Sequence, residues 1–167
     1  MQRADFPQGK WWNVVFFLTA LLVVAADQFS KIWIRSNLDV GQSLPETGLF
    51  RLTHIYNTGA AFGLFQDQSF SLAIVAFIGI VVVPLFVFLA PHHFPFLDTK
   101  LGKLALGLVF GGTIGNLVDR LRFGYVTDFI DIGIWPTFNI ADSTVTVGVI
   151  LLLYSLRSLA KGKELSA

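Results

Sequence analysis

The sequence contains no cysteine and little charge. Without a thiol it can form no disulfide, carry no cysteine nucleophile and accept no palmitoyl group. Only 14% of its 167 residues are charged, against about 25% in an ordinary soluble domain. The formal net charge of +1 gives no reason to expect a nucleic-acid partner. With 54% hydrophobic residues and a mean hydropathy of +0.66, the chain is predicted to be one integral membrane domain spanning residues 1–167.

Several common catalytic signatures are missing as well. The sequence has no G-x-S-x-G, no H-E-x-x-H and no phosphate-binding glycine loop. Its three histidines, His54, His92 and His93, do not have the spacing of a metal site. Ser30 and Lys31 are neighbours and point in different directions on a helix, which argues against a local Ser–Lys dyad. Neither a metal nor a cofactor is therefore expected.

What the chain has instead is four long apolar stretches. Each approaches the ~20 residues that a helix needs to cross the hydrocarbon core of a bilayer, and they cover about residues 12–34, 70–90, 101–118 and 141–160. The predicted fold class is an all-α integral membrane protein with four transmembrane helices and a small extracytoplasmic loop region containing β structure. A cleaved secretory signal in the first stretch is disfavoured, because Ile32, Trp33 and Ile34 extend the apolar run past the candidate cleavage site.

The charges in the loops favour one orientation. Seven Lys and Arg residues lie on the side of the two termini and five lie on the other side, so both termini are expected in the cytoplasm. The acids are distributed the other way, with three on the cytoplasmic side and eight at or near the outer side. Any chemistry is therefore expected at the extracytoplasmic membrane surface.

Two connections on that outer side can carry structure. Residues 49–56 alternate loosely between apolar and polar, which is typical of a short strand, and a turn signal follows at residues 57–59. The next segment, AAFGLF at 60–65, is predicted to form a short apolar helix in the membrane interface. In the second connection, Trp135 and Pro136 indicate a bend near the lipid headgroups.

Polar and small residues recur at helical spacing in two of the stretches. Asp27 and Lys31 are four apart and fit an ion pair at a helix end, for which a structural role is favoured. In the third stretch, small residues share one face and predict a helix-packing seam at Gly107, Gly111 and Gly115. Beyond that seam, Asn116 and Arg120 share a face. From the residues alone, Arg120 is either a site residue or an interfacial charge paired with Asp119.

Asp128 and Asp142 carry the strongest chemical signal. They lie fourteen residues apart on either side of a connection that must turn back to the membrane. Two close carboxylates cannot both ionise easily, so the pair would offer a base and an acid, as in aspartic peptidases. From spacing alone, a cation site or a solvated loop stays open. For the whole protein, an ion or proton carrier and a non-catalytic assembly protein are the alternatives.

Five motifs in a fixed order connect these separate signals. Together they closely resemble the lipoprotein signal peptidase family, or signal peptidase II, over nearly the whole chain: DQFSK at 27–31, NTGAAFG at 57–63, GGTIGNLVDR at 111–120, GYVTDF at 124–129 and FNIADS at 138–143. The resemblance implies a bacterial inner-membrane aspartic endopeptidase whose catalytic dyad is Asp128 and Asp142. Asp131 lies outside the motifs and is not expected to be catalytic.

The resemblance also implies a set of supporting residues and a substrate. Further motif positions around the pocket, which bind substrate or support the site, are Asn57, Gly59, Gly112, Asn116, Arg120, Asn139 and Ala141. Asp27 and Lys31 match a further motif pair with a structural role. The implied substrate is a prolipoprotein, cut just before its diacylglyceryl-modified cysteine. Membrane lipids and cyclic-peptide inhibitors of the globomycin type are the other expected partners.

Overall fold

The computed structural model describes residues 8–59, 65–89 and 94–164. Four helices and three short strands account for most of them, together with a 3-10 turn at Pro95–Asp98. The helices are α1 (Gln8–Asn37), α2 (Ser69–Leu89), α3 (Lys100–Phe123) and α4 (Ile140–Glu164). The strands are β1 (Ser43–Leu44), β2 (Arg51–Asn57) and β3 (Val126–Asp131). The predicted interfacial helix at 60–65 falls almost wholly outside the described residues, as do His92 and His93.

Three of the helices are long and apolar enough to cross a membrane. The qualifying stretches are 27, 24 and 19 residues long and lie at Trp11–Asn37, Lys100–Phe123 and Ile140–Ser158. Helix α2 is apolar over the shorter range Ser69–Leu85 and contains Pro84. The mainly helical membrane fold with a small β region is therefore confirmed. The second of the four predicted spans stays a prediction.

Helix α3 lies at the centre, and its glycines let the other helices approach closely. A β-carbon at Gly107 or Gly111 would lie 2.8 Å from a backbone carbonyl oxygen of α1. At Gly112 it would lie 2.5 Å from the carbonyl oxygen of Ala141 in α4. The predicted seam is thus a packing surface against α1, and Gly112 extends the close packing to α4.

The ends of α3 are set by local chemistry. Thr99 caps the helix N-terminus, where its Oγ1 accepts a hydrogen bond from the Gly102 N–H at 2.9 Å. Gly124 ends the helix in a left-handed conformation, with φ of 79°, and its N–H donates to the Arg120 carbonyl oxygen. Two residues later β3 begins. This tight ending brings the strand that carries Asp128 directly against the end of α3.

The three strands form one antiparallel sheet in the order β1-β2-β3. In the pairing of β2 with β3, Ile55 is opposite Asp128, and the register shifts between Leu52 and Ile55. Strand β2 overlaps the strand predicted at residues 49–56. The sheet packs on the helix ends through a buried apolar cluster: Ile34, Leu38 and Phe129, with Leu52, Ile130 and Ile140 against it. Because of this cluster, the sheet has a fixed position over the ends of α1 and α4.

Candidate active site

Asp128 and Asp142 meet at one cavity, although they belong to different elements. Asp128 lies in β3 and Asp142 in the first turn of α4, and both line a cavity of about 890 Å³. Asn139 links them. Its Nδ2 donates to Asp128 Oδ1 at 2.7 Å, and its backbone N–H donates to Asp142 Oδ2 at 3.2 Å. One residue therefore fixes where the two carboxyl groups lie relative to each other.

The link through Asn139 follows from how α4 begins. Asn139 precedes the first helical residue, Ile140, and its Oδ1 accepts a hydrogen bond from the Asp142 N–H at 3.0 Å. Together with the bond from the Asn139 N–H to Asp142, this is a reciprocal capping box. The cap occupies the amide oxygen of Asn139 and leaves its NH₂ group for Asp128. The helix start and the site geometry thus depend on the same side chain.

Two further side-chain amides bind the carboxylate oxygens that Asn139 does not contact. Asn57, the last residue of β2, donates from Nδ2 to Asp128 Oδ2 at 2.8 Å. Asn116, in α3, donates from Nδ2 to Asp142 Oδ1 at 2.8 Å. All four carboxylate oxygens therefore accept at least one hydrogen bond from an amide. Amide donors of this kind orient a carboxyl group without neutralising it.

Burial and charge act together on Asp128, which is 2% exposed. Burial raises its pKa most, and the neighbouring Asp142 carboxylate raises it further, to about 7, against the opposing effect of the hydrogen bonds from Asn57 and Asn139. A proton bound near neutral pH is what a carboxyl pair needs if one member is to act as an acid while the other acts as a base.

Asp131 is held away from this pair. It forms an ion pair with Arg51 Nη2 at 2.5 Å, and its Oδ1 accepts from the Gly133 N–H at 2.8 Å. The Gly133 hydrogen bond, followed by the Arg51 interactions, lowers the pKa of Asp131. Residues three apart on a strand point to opposite faces, and Asp131 is not among the residues that line the cavity.

Behind the carboxyl pair lies a buried ionic cluster, composed of Asp27, Lys31 and Asp119. Lys31 Nζ lies 2.9 Å from Asp27 Oδ2 and 3.3 Å from Asp119 Oδ2, and all three side chains are fully buried. Lys31 also donates to Asn116 Oδ1 at 2.9 Å. Sequence reasoning offered Asp119 as a partner for Arg120, whereas its bonds run to α1 and to the Thr127 N–H in β3. The cluster reaches the site because the amide of Asn116 binds both Lys31 and Asp142.

The other residues singled out from the sequence surround the cavity or support its walls. Arg120 and Gly59 line it, and Arg120 Nη2 donates to the Gly59 carbonyl oxygen at 3.1 Å. The Arg120 Nε is buried and has no hydrogen-bond partner within the described part of the chain. Ala141 is fully buried behind the site, where its N–H donates to Asp27 Oδ1 at 3.0 Å. Gly112 packs against its carbonyl, as described above.

Part of the cavity lining is apolar and is here called the apolar wall. The side chains on it come from the second outer connection, α2 and α4, and include Ala76, Ile132, Trp135, Pro136, Phe138, Val145 and Val147. Sequence reasoning placed Trp135 and Pro136 at a bend but did not assign them to the site. Their local spacing does not indicate a role in the site, because their position beside the cavity depends on the β-bridge between Phe138 and Ile130 in β3.

A fold of this kind occurs in solved bacterial membrane enzymes. One of them, solved by the in meso method at 2.3 Å resolution, superimposes with a TM-score of 0.78 at 32% identity, covering 89% of this chain and 90% of that one. A second, solved at 1.9 Å, gives a TM-score of 0.71 at 33% identity, with 84% and 91% covered. The fold is thus that of a multi-pass membrane enzyme.

Sequence comparisons narrow the class to one family. A sequence model of signal peptidase (SPase) II matches residues 19–157. The lipoprotein signal peptidase of Dehalococcoides mccartyi (strain BAV1) is 49% identical over 152 residues, which cover 90% of this chain and 94% of that protein. That of Moorella thermoacetica is 46% identical over 142 residues, covering 84% and 91%. The chain belongs to the signal peptidase II family, a family of proteases.

Proposed function

We propose that this protein is an aspartic endopeptidase that removes the signal peptide from diacylglyceryl-modified prolipoproteins, with Asp128 and Asp142 as its catalytic dyad. The observation that carries the proposal is the pair itself. Two carboxyl groups from separate elements face one cavity and are bridged by Asn139, through its side-chain amide and its backbone N–H, in a chain of the signal peptidase II family. The raised pKa of Asp128 supports a proton shared near neutral pH.

The chemistry follows from one ionised and one protonated carboxyl group. The ionised group takes a proton from a water molecule between them, and the water oxygen attacks the carbonyl carbon on the N-terminal side of the modified cysteine. The protonated group stabilises the developing oxyanion. A proton then passes to the leaving amine as the C–N bond breaks, which restores the pair. The dyad supplies both proton-transfer roles, so the proposal includes no metal and no cofactor.

The remaining polar residues are proposed to bind the substrate or to hold the acids. Asn57, Asn116 and Asn139 orient the carboxyl groups through the hydrogen bonds that their side-chain amides donate. Arg120 projects to the carbonyl of Gly59 at the cavity edge, where it can also meet the substrate backbone. Gly112 and Ala141 let α3 and α4 approach closely enough to keep Asn116 beside Asp142. The ion pair of Asp27 and Lys31 is proposed to be structural.

The apolar wall suits a lipidated substrate. Helices α1 and α4 expose many large apolar side chains, as helices in contact with lipid do. The acyl tails of a prolipoprotein can therefore remain in the bilayer while its cysteine reaches the dyad. We propose that α2 completes a fourth span, since it is apolar throughout Ser69–Leu85. Cyclic peptides of the globomycin type would occupy the same cavity.

The proposed location is the bacterial cytoplasmic membrane, with both termini in the cytoplasm and the site near the extracytoplasmic face. Four spans and the charge bias of the loops support this orientation. A proton carrier is the less suitable alternative, because the two acids lie beyond the middle of the apolar helices, in β3 and the first turn of α4.

One assay separates the proposal from the alternatives. Purified protein in detergent is mixed with a lipidated precursor, and cleavage before the modified cysteine is followed by gel shift and mass spectrometry. Cleavage by the wild type together with no cleavage by Asp142→Asn supports the dyad. Equal cleavage by both would show that another group performs the reaction, and no cleavage by the wild type would contradict the peptidase assignment.

A further inference from the structure

Arg35 lies in the last turn of α1, where a cation interacts favourably with the helix C-terminus. Its guanidinium does not extend into solvent: the side chain is only 15% exposed. Nη1 donates to Thr127 Oγ1 at 2.9 Å and lies 3.5 Å from Asp119 Oδ1. Its Cζ sits 4.7 Å from the ring centroid of Phe123, in cation–π geometry. These contacts tie the end of the first helix to the segment that leads into Asp128.

Thr127 is the residue directly before Asp128, and it is completely buried. Its N–H donates to Asp119 Oδ2 at 3.0 Å, and its Oγ1 accepts from Arg35. Successive side chains on a strand point to opposite faces. Thr127 is therefore held from behind the strand while Asp128 projects into the cavity from the front.

We infer that Arg35 is a positioning residue for the peptidase reaction, acting through the Thr127 hydroxyl to fix the segment of β3 that carries Asp128. The inference rests on the proposed function. Arg35 touches no reacting group, since neither it nor Thr127 lines the cavity. A small displacement of Asp128 would disturb the attacking water more than it would disturb substrate binding, because catalytic groups need placement within about 0.5 Å.

The bond can be removed without changing the shape of the strand. Thr127→Val has nearly the same volume and keeps the N–H that binds Asp119, but it has no hydroxyl to accept from Arg35. We expect Thr127→Val to lower kcat about tenfold, within the range that misplacement of a reacting group can cost, while KM stays within about twofold. Thr127→Ser keeps the hydroxyl and should restore most of the lost kcat.

A double-mutant cycle assigns the effect to the bond. Arg35→Met keeps the apolar stem and removes the guanidinium. If the two residues act through one hydrogen bond, Arg35→Met combined with Thr127→Val should have a kcat no lower than the poorer single variant. Independent, multiplying losses would overturn the inference.

A matched control lies on the neighbouring strand. Thr53 is also a buried threonine, and its hydroxyl contacts Ser43 and Asp131, away from the dyad. Thr53→Val should keep wild-type kcat. The inference is overturned if Thr127→Val keeps wild-type kcat, if it raises KM alone, or if Thr53→Val loses as much activity as Thr127→Val. A wild type that does not cleave lipidated precursor would instead contradict the proposed function, which keeps the two failures distinct.

Discussion

The side-chain amide of Asn139 donates to Asp128 at 2.7 Å while its backbone N–H donates to Asp142. A single residue thus fixes the spacing of two carboxyl groups that come from a strand and a helix. Because Asn139 is fully buried, water cannot easily replace these bonds. The two acids are therefore expected to function as one coupled unit.

The first prediction concerns the choice of acids. Asp128→Asn and Asp142→Asn should each insert and extract normally, because the shape of the side chain is nearly unchanged, yet lose cleavage by a factor of about 10² or more, the usual cost of losing general acid–base catalysis. Asp131→Asn should keep most of the activity, since Asp131 pairs with Arg51 outside the cavity. Cleavage rates of the three purified variants test this, and an inactive Asp131→Asn beside an active Asp128→Asn would show the assignment to be wrong.

The second prediction concerns pH. The pKa of Asp128 is raised to about 7, so the folded site holds a proton below that pH and loses it above. Since the mechanism needs one protonated and one ionised carboxyl group, kcat/KM, which reports the pKa values of the free enzyme, should fall as pH rises through about 7. The Asn57 hydrogen bond lowers this pKa, so Asn57→Ala should move the alkaline limb to higher pH. A limb that stays in place, whatever the height of the profile, would contradict the assigned cause.

The third prediction concerns topology. Both termini should lie in the cytoplasm if α2 completes a fourth span and the charge bias sets the orientation. A reporter fused after Ala167 should read as cytoplasmic, and one inserted between Gly41 and Gln42 should read as extracytoplasmic. A periplasmic signal from the C-terminal fusion would place the dyad on the wrong face and defeat the four-span layout.

The fourth prediction concerns the substrate. If the apolar wall beside the dyad binds the lipid, a precursor without its diacylglyceryl group should be cut much more slowly than the lipidated form. The comparison uses the same peptide with and without the lipid, at equal concentrations in the same detergent. Equal rates would point to a general signal peptidase that reads the peptide alone.

The fifth prediction concerns the packing of α3. Gly111→Leu should lower the unfolding temperature in detergent and reduce the yield of folded protein, because a β-carbon there already lies 2.8 Å from Ala20 O in α1. Gly79→Leu in α2 is the control, since its β-carbon would meet no atom of the described residues within 4 Å. A comparable loss of unfolding temperature in both variants would mean that the effect at Gly111 does not come from the close approach of α1 to α3.

The sequence predicted where the helices lie better than it predicted where each one ends. Hydropathy located the helices, but it ended the third span at Val118, whereas α3 continues to Phe123. The polar residues of that last turn look like a loop in a hydropathy profile, yet Asp119 is buried and paired with Lys31. A hydropathy scale scores each residue as if it were unpaired, so it cannot see a charge that is compensated by another helix.

The candidate site shows the same division. Each of the five motifs is a short stretch of the chain, so the sequence alone could predict which residues form the candidate site. The sequence did not indicate that Asn139 would bridge the acids, or that Arg35 would reach Thr127 across 92 positions. Such contacts depend on the register of β2 with β3 and on the depth at which α1 ends, and neither is encoded within one short segment.

The hydrogen bond from the Ala141 N–H to Asp27 joins residues 114 positions apart, in the first and last helices. The ribosome synthesises Asp27 well before Ala141, and Asp128 and Asp142 are bridged only when Asn139 caps the start of α4 at Ile140. A nascent chain with three helices inserted therefore has no assembled carboxyl pair. Under the proposed mechanism, the enzyme therefore stays inactive during its own synthesis until α4 has inserted.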